Sequence, residues 1–209
     1  MKSIIYLSIF LACGPSSAQH QTSQMTHSFP KLEAVKIANL GPGCRLRLRL
    51  PNRAELGTRY ESKDYPGRGG IGIAELPTGA DRWGISLQCN KTSDDYVANG
   101  WAVRKRGKWV LSENEATAEL IQLGALKFYE LKAKNAEGWA VTYDDTYGED
   151  QFRQRTLAYC SAKNAKAVCG EGKVGFLDAI KENKTANLTS GTLNMLRQFE
   201  FLNDLPSKK

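Results

Sequence analysis

The chain has 209 residues, a formal net charge of +7 and 24% charged residues. The surplus of base favours acidic partners or anionic surfaces, and it falls short of marking a nucleic-acid binder. Past residue 18 no apolar stretch approaches the roughly 20 residues needed to span a bilayer, so the chain is expected to be soluble, and its length suits one domain with a sizeable core.

The N-terminus reads as an export signal. Met1-Lys2-Ser3 is a short positive start, and residues 4–12 (IIYLSIFLA) are an apolar run too short to cross a membrane. Ser16-Ser17-Ala18 supplies small residues for signal cleavage, which would leave Gln19 as the new N-terminus. A second route is lipidation at Cys13, because Phe10-Leu11-Ala12-Cys13 is an imperfect bacterial lipoprotein motif. Residues 1–18 are therefore assigned to the signal, 19–29 to a polar tether and 30–209 to a single domain. Removing the signal takes away Lys2 and no acid, so +7 becomes +6.

The predicted elements follow in chain order. Residues 30–40 suit a short helix or a strand. After the turn Gly41-Pro42-Gly43, residues 44–50 (CRLRLRL) alternate leucine and arginine, the period of a half-buried strand. Residues 52–70 read as a loop, 71–76 as a strand and 82–89 as a strand with Trp83, Ile85, Leu87 and Cys89 on one face. Residues 101–104 and 108–111 form a predicted hairpin around Arg106-Gly107. Ser112 and Glu115 match a capping box, followed by a helix that Gly124 ends. Strands are predicted over 126–133, 139–143, 152–161 and 167–170, and residues 174–180 suit strand or helix. Thr189 or Ser190 caps a last helix carrying Leu193, Leu196 and Phe199. The fold class is α+β: one curved, mainly antiparallel sheet with two or more helices packed on one face.

Four cysteines remain after processing, and in an oxidising compartment an even number implies disulfides. Cys160 and Cys169 lie at equal distances from a turn centred between Asn164 and Ala165, which sets them opposite each other across a hairpin. That leaves Cys44 with Cys89.

The chain's only histidines, His20 and His27, fall in the tether. The folded domain therefore lacks a histidine base or ligand, and oxidised cysteines supply neither nucleophile nor zinc site. No catalytic residue, metal or cofactor is assigned. Asp144, Asp145, Glu149 and Asp150 crowd one loop, but Arg153 and Arg155 stand close enough to neutralise them. The alternative built on those carboxylates and Glu171 is a hydrolase acting on envelope glycans. The glycine-rich run 66–72 lacks the Lys-Ser/Thr ending of a phosphate loop. The surface singled out for partner binding is the basic hairpin: Trp101, Arg104, Lys105, Arg106, Lys108 and Trp109. Arg45, Arg47 and Arg49 make a second basic row.

Asn135 to Trp139, Arg153 with Arg155, Tyr159-Cys160, Cys169-Gly170 and the closing run Leu193, Leu196, Arg197, Phe199 resemble small uncharacterised Gram-negative envelope proteins with a PsbP-like α+β fold. The resemblance covers residues 126–201, implies fold class and compartment, and transfers no functional residue. The expectation is a periplasmic or lipid-anchored binding protein, of accessory or toxin-immunity type. Its partner is an acidic protein and not a nucleic acid, and it meets a membrane only through Cys13.

Overall fold

The computed structural model describes residues 29–60, 66–74, 76, 82–94, 96–97 and 100–204. Cys13, Ala18, Gln19, His20 and His27 lie outside the described residues, as does the tether up to residue 28.

Seven strands form the main antiparallel sheet, in the order β3–β4–β5–β11–β10–β9–β8. They are β3 (Glu55–Arg59), β4 (Arg68–Ile73), β5 (Trp83–Lys91), β8 (Leu126–Lys132), β9 (Glu137–Asp144), β10 (Gln154–Lys163) and β11 (Lys166–Phe176). A second sheet joins β1 (Leu32–Asn39), β2 (Arg45–Pro51) and β12 (Glu200–Phe201), and a separate hairpin pairs β6 (Ala102–Lys105) with β7 (Lys108–Leu111). Among the described residues the α-helices of six residues or more are α1 (Glu115–Gln122), α2 (Leu177–Glu182) and α3 (Thr189–Arg197). Among the described residues no helix is long and apolar enough to cross a membrane.

The α+β class stands, but the expectation of helices alone on one face of a single sheet is corrected. Leu46, Leu48 and Leu50 are fully buried, and they face the main sheet from β2 as a second β layer. With α3 they close over Trp83, Ile85, Leu87, Leu157 and Tyr159. The Trp83 indole N–H donates to Thr192 Oγ1 at 3.1 Å, which fixes α3 on that face. The opposite face buries Trp139, Val141, Ala158 and Cys160 beneath the β6–β7 hairpin. Alternation fixes which residues of a strand are buried, not what buries them, so β2 was legible as a strand and not as part of a second sheet.

Other boundaries moved for local reasons. The segment read as a loop over 52–70 contains β3, whose residues are mostly exposed and so carry no apolar alternation. The ambiguous residues before Leu40 are β1. Helix α1 is capped by Asn114 and not Ser112: Asn114 Oδ1 accepts from the Thr117 backbone N–H, and Thr117 Oγ1 accepts from the Asn114 N–H. Thr117 Oγ1 also donates to the Ser112 carbonyl at 2.6 Å, so Ser112 holds the first turn through its backbone. Helix α3 starts after Leu188 with no side-chain cap from Thr189 or Ser190. Instead Asn187 Oδ1 accepts from the Thr189 N–H at 3.1 Å.

The disulfides are Cys44–Cys89 and Cys160–Cys169. The first ties the chain entering β2 to β5, and so joins the two sheets. The second lies across the β10–β11 ladder, where the register sets Cys160 opposite Cys169. Both are buried, as an oxidising compartment outside the cytoplasm produces.

The chain-entropy treatment gives about 4 kcal/mol for a loop as long as that closed by Cys44–Cys89 and about 3 kcal/mol for the shorter one. Denaturant unfolding of the two double-serine variants should therefore rank Cys44→Ser/Cys89→Ser as the less stable. Peptide mapping of the oxidised wild type should recover the same two cross-links, and a Cys44–Cys160 peptide would refute the arrangement.

Candidate functional site

The β6–β7 hairpin turns through Arg106 and Gly107, both at positive φ (52° and 81°), the geometry that brings two antiparallel strands around in two residues. Its tip is basic and exposed, while its tryptophans turn inward. Trp101 stacks on Tyr143 with ring centroids 4.8 Å apart. Trp109 is half-buried against the second core cluster, and its indole N–H is buried with no acceptor among the described residues. The main sheet needs a cover on this face, and the two rings supply it.

The cations remain outside. Arg104 donates to Glu137 at 3.2 Å and lies over the Trp109 ring, 5.9 Å from its centroid. Lys105 pairs with Glu113 at 3.1 Å. Arg106 and Lys108 make no ion pair among the described residues. Beside the hairpin runs a groove of about 890 Å³, walled by Arg104 and Trp109, by the β8–β9 turn with Lys132 and Lys134, and by Lys163 of the β10–β11 turn. Asn135 in this wall latches β12, accepting from the Phe201 N–H and donating to its carbonyl, each at 2.9 Å.

The second basic row reaches the same groove. Glu200 of β12 accepts from Lys134 at 2.9 Å and from Arg47 at 3.0 Å. Hydrogen bonding from Lys134, with help from Arg47, holds its carboxyl below the usual carboxylate range. Arg45, Arg47 and Arg49 therefore continue through Lys134 into the groove and on to Arg104. Sequence reasoning missed Lys132, Lys134 and Lys163 because they lie in two turns that are far apart along the chain.

Two of the four acids in the loop are paired with arginines. Asp144 takes both arms of the Arg155 guanidinium at 2.6 and 2.7 Å, which raises the pKa of Arg155. Asp150 pairs with Arg153 and, at 3.9 Å, with Lys181. Asp145 accepts from the Gln154 backbone N–H, and Glu149 accepts from the Gln151 amide. Glu171 stands apart, lining a separate cleft of about 450 Å³ with Tyr96, Arg68, Ser86, Gln88 and Asn90. Among the described residues no three His, Cys, Asp or Glu side chains converge to hold a metal ion.

Known proteins add little. No protein-family model matches the chain, and no curated protein is significantly similar to it. It is similar to a protein of Bacteroides thetaiotaomicron VPI-5482 at 10% identity and a TM-score of 0.41, over 79% of this chain and 48% of that one. The chain thus spans about half the length of that protein. It is also similar to LpqN, involved in cell envelope biogenesis of Mycobacterium tuberculosis, at 13% identity and a TM-score of 0.43, over 79% of this chain and 89% of that one. Likenesses this distant carry no site residue across.

Three tyrosines on the main sheet and its cover hold their protons too tightly. Burial pushes Tyr96 up from 10.0 to about 12, with the Glu171 charge adding to it, and raises Tyr143 and Tyr159 in the same direction. Above pH 10 the unfolded chain releases these protons while the folded protein keeps them, so stability falls as pH rises from 10 towards about 12. Denaturant midpoints measured across roughly pH 8 to 11 should decline at the alkaline end. The decline should be shallower in Tyr96→Phe; an identical slope would show that Tyr96 is not part of it.

Proposed function

We propose that this chain is an exported binding protein without catalytic activity, which captures an acidic protein partner on the basic surface around the β6–β7 hairpin. The observation that carries the reading is the continuity of that surface. Arg47, Glu200, Lys134, the groove, Arg104 and the exposed tip of Arg106 and Lys108 form one belt. Glu113, Glu137 and Glu200, the carboxylates along the belt, are already engaged by its cations, so the balance stays positive. Such a surface steers an acidic partner during encounter and fixes its register. The pairing of Asp144 and Asp150 with arginines weakens the hydrolase alternative, because a carboxylate held by arginine is poorly placed to take up a proton.

The address is part of the same proposal: cleavage after Ala18 or lipidation at Cys13, and work in the periplasm or facing it from a membrane anchor. Intact-mass analysis of protein from the envelope fraction should give a chain starting at Gln19 or a lipidated Cys13. Full-length protein confined to the cytoplasm would refute export.

Replacing Arg104, Lys105, Arg106 and Lys108 by serine should leave the fold intact, because none of the four is buried. The exposed ion pairs lost contribute only about 0–1 kcal/mol each. In a pull-down from envelope extract the wild type should retain partners that the variant loses, and raised salt should release them. The same captured set for both proteins would eliminate the hairpin. Turnover of a glycan by the purified domain would eliminate the non-enzymatic reading.

A further inference from the structure

One row of side chains crosses the hairpin-covered face of the main sheet: Gly70, Ser86, Glu171, Ala158, Val141 and Phe128, on β4, β5, β11, β10, β9 and β8. Ala158 and Val141 are fully buried under the hairpin, whereas Ser86 and Glu171 are exposed. The cover stops at β11, and Glu171 stands on its border beside Tyr96, which is 42% exposed.

We infer that the cleft beside Glu171 binds a small zwitterionic ligand, its ammonium seated between Glu171 and the Tyr96 ring and its anionic end against Arg68.

Two opposite charges line this cavity, and they do not bridge each other. Neither Arg68 nor Glu171 forms an ion pair among the described residues. Lys173, two residues beyond Glu171, places its ammonium over the Phe176 ring, 3.8 Å from the centroid. A cavity of about 450 Å³ with a carboxylate at one side and a guanidinium at the other is complementary to a molecule carrying both charges. It lies in the size range of small-molecule sites. An aromatic ring next to a carboxylate is a favourable seat for an ammonium, and a guanidinium fits a carboxylate or phosphate.

The backbone that carries the carboxylate is held in place. Ser86 Oγ accepts from the Glu171 backbone N–H at 2.9 Å and donates to its carbonyl at 3.1 Å. Ser86 is itself fixed, because the buried Tyr159 hydroxyl donates to its carbonyl at 3.0 Å. The Glu171 charge helps to raise the pKa of Tyr143, whose ring stacks on Trp101. Gln88 and Asn90 bond to each other along the cleft and offer further amide groups to a polar ligand.

The same pair of charges occurs at the ends of a short peptide and in a phosphoethanolamine headgroup. Nitrogen-15 NMR titrations with glycylglycine and with phosphoethanolamine separate these sources. N-acetylglycine and ethylamine, carrying one charge each, serve as controls. At least one zwitterion should shift the amides of residues 84–90 and 169–173 saturably, and the tighter of the two identifies the source. Glu171→Gln and Arg68→Met should each weaken that binding by about tenfold or more, the loss of one charge-assisted contact. Spectra unchanged away from the cleft establish that each variant is folded. Three results would overturn the inference: no saturable shift with either zwitterion, wild-type affinity in Glu171→Gln, or equal affinity for the singly charged controls.

Discussion

Strands β9 and β10, and residues 167–169 of β11, are buried on both faces, and that double burial governs the rest of the molecule. A sheet with two apolar faces needs a cover on each. On one side Leu46, Leu48 and Leu50 from the small sheet and Leu193 and Leu196 from α3 supply it. On the other, α1 is too exposed to serve, with Thr117 its one buried residue. The hairpin must then lie flat on Trp139, Val141 and Cys160, with Trp101 and Trp109 turned under it. Its cations are left outside as a consequence. The basic surface and the inward tryptophans are thus one solution to one packing problem.

How much of this the sequence showed depended on whether the signal was local. The alternation at 44–50 and the turn at Arg106-Gly107 are short-range patterns, and each element formed where its pattern lay. The cysteine pair around Asn164 and Ala165 is likewise a matter of counting from a turn. Which layer covers which is a long-range property, so the small sheet, including the two-residue β12 after the last helix, left no readable trace. The helix cap shows the same limit: Ser112 and Glu115 fit the pattern, but Asn114 and Thr117 offer a reciprocal pair that fits the chain's actual exit from β7. The groove lysines come from two separate turns, and only the fold brings them together. Glu171 follows directly on the strand expected over 167–170, and nothing local says that Ser86 will hold its backbone.

The β10–β11 ribbon connects the two surfaces physically. Its turn supplies Lys163 to the basic groove, and further along β11 it carries Glu171 to the edge of the cleft. Between them the Cys160–Cys169 bond cross-links the ribbon within the second core cluster. A cross-link there limits how far the two ends can shift against each other. Groups held in place before a ligand arrives lose less conformational freedom on binding, so rigidity at this ribbon favours recognition at either end. The Cys44–Cys89 bond does the corresponding work between the layers, holding β5, and with it Ser86 and Gln88, against the small sheet that carries the arginine row. Two cross-links at these places are what a protein needs if its function is to present fixed charges at fixed spacing outside the cell's reducing interior.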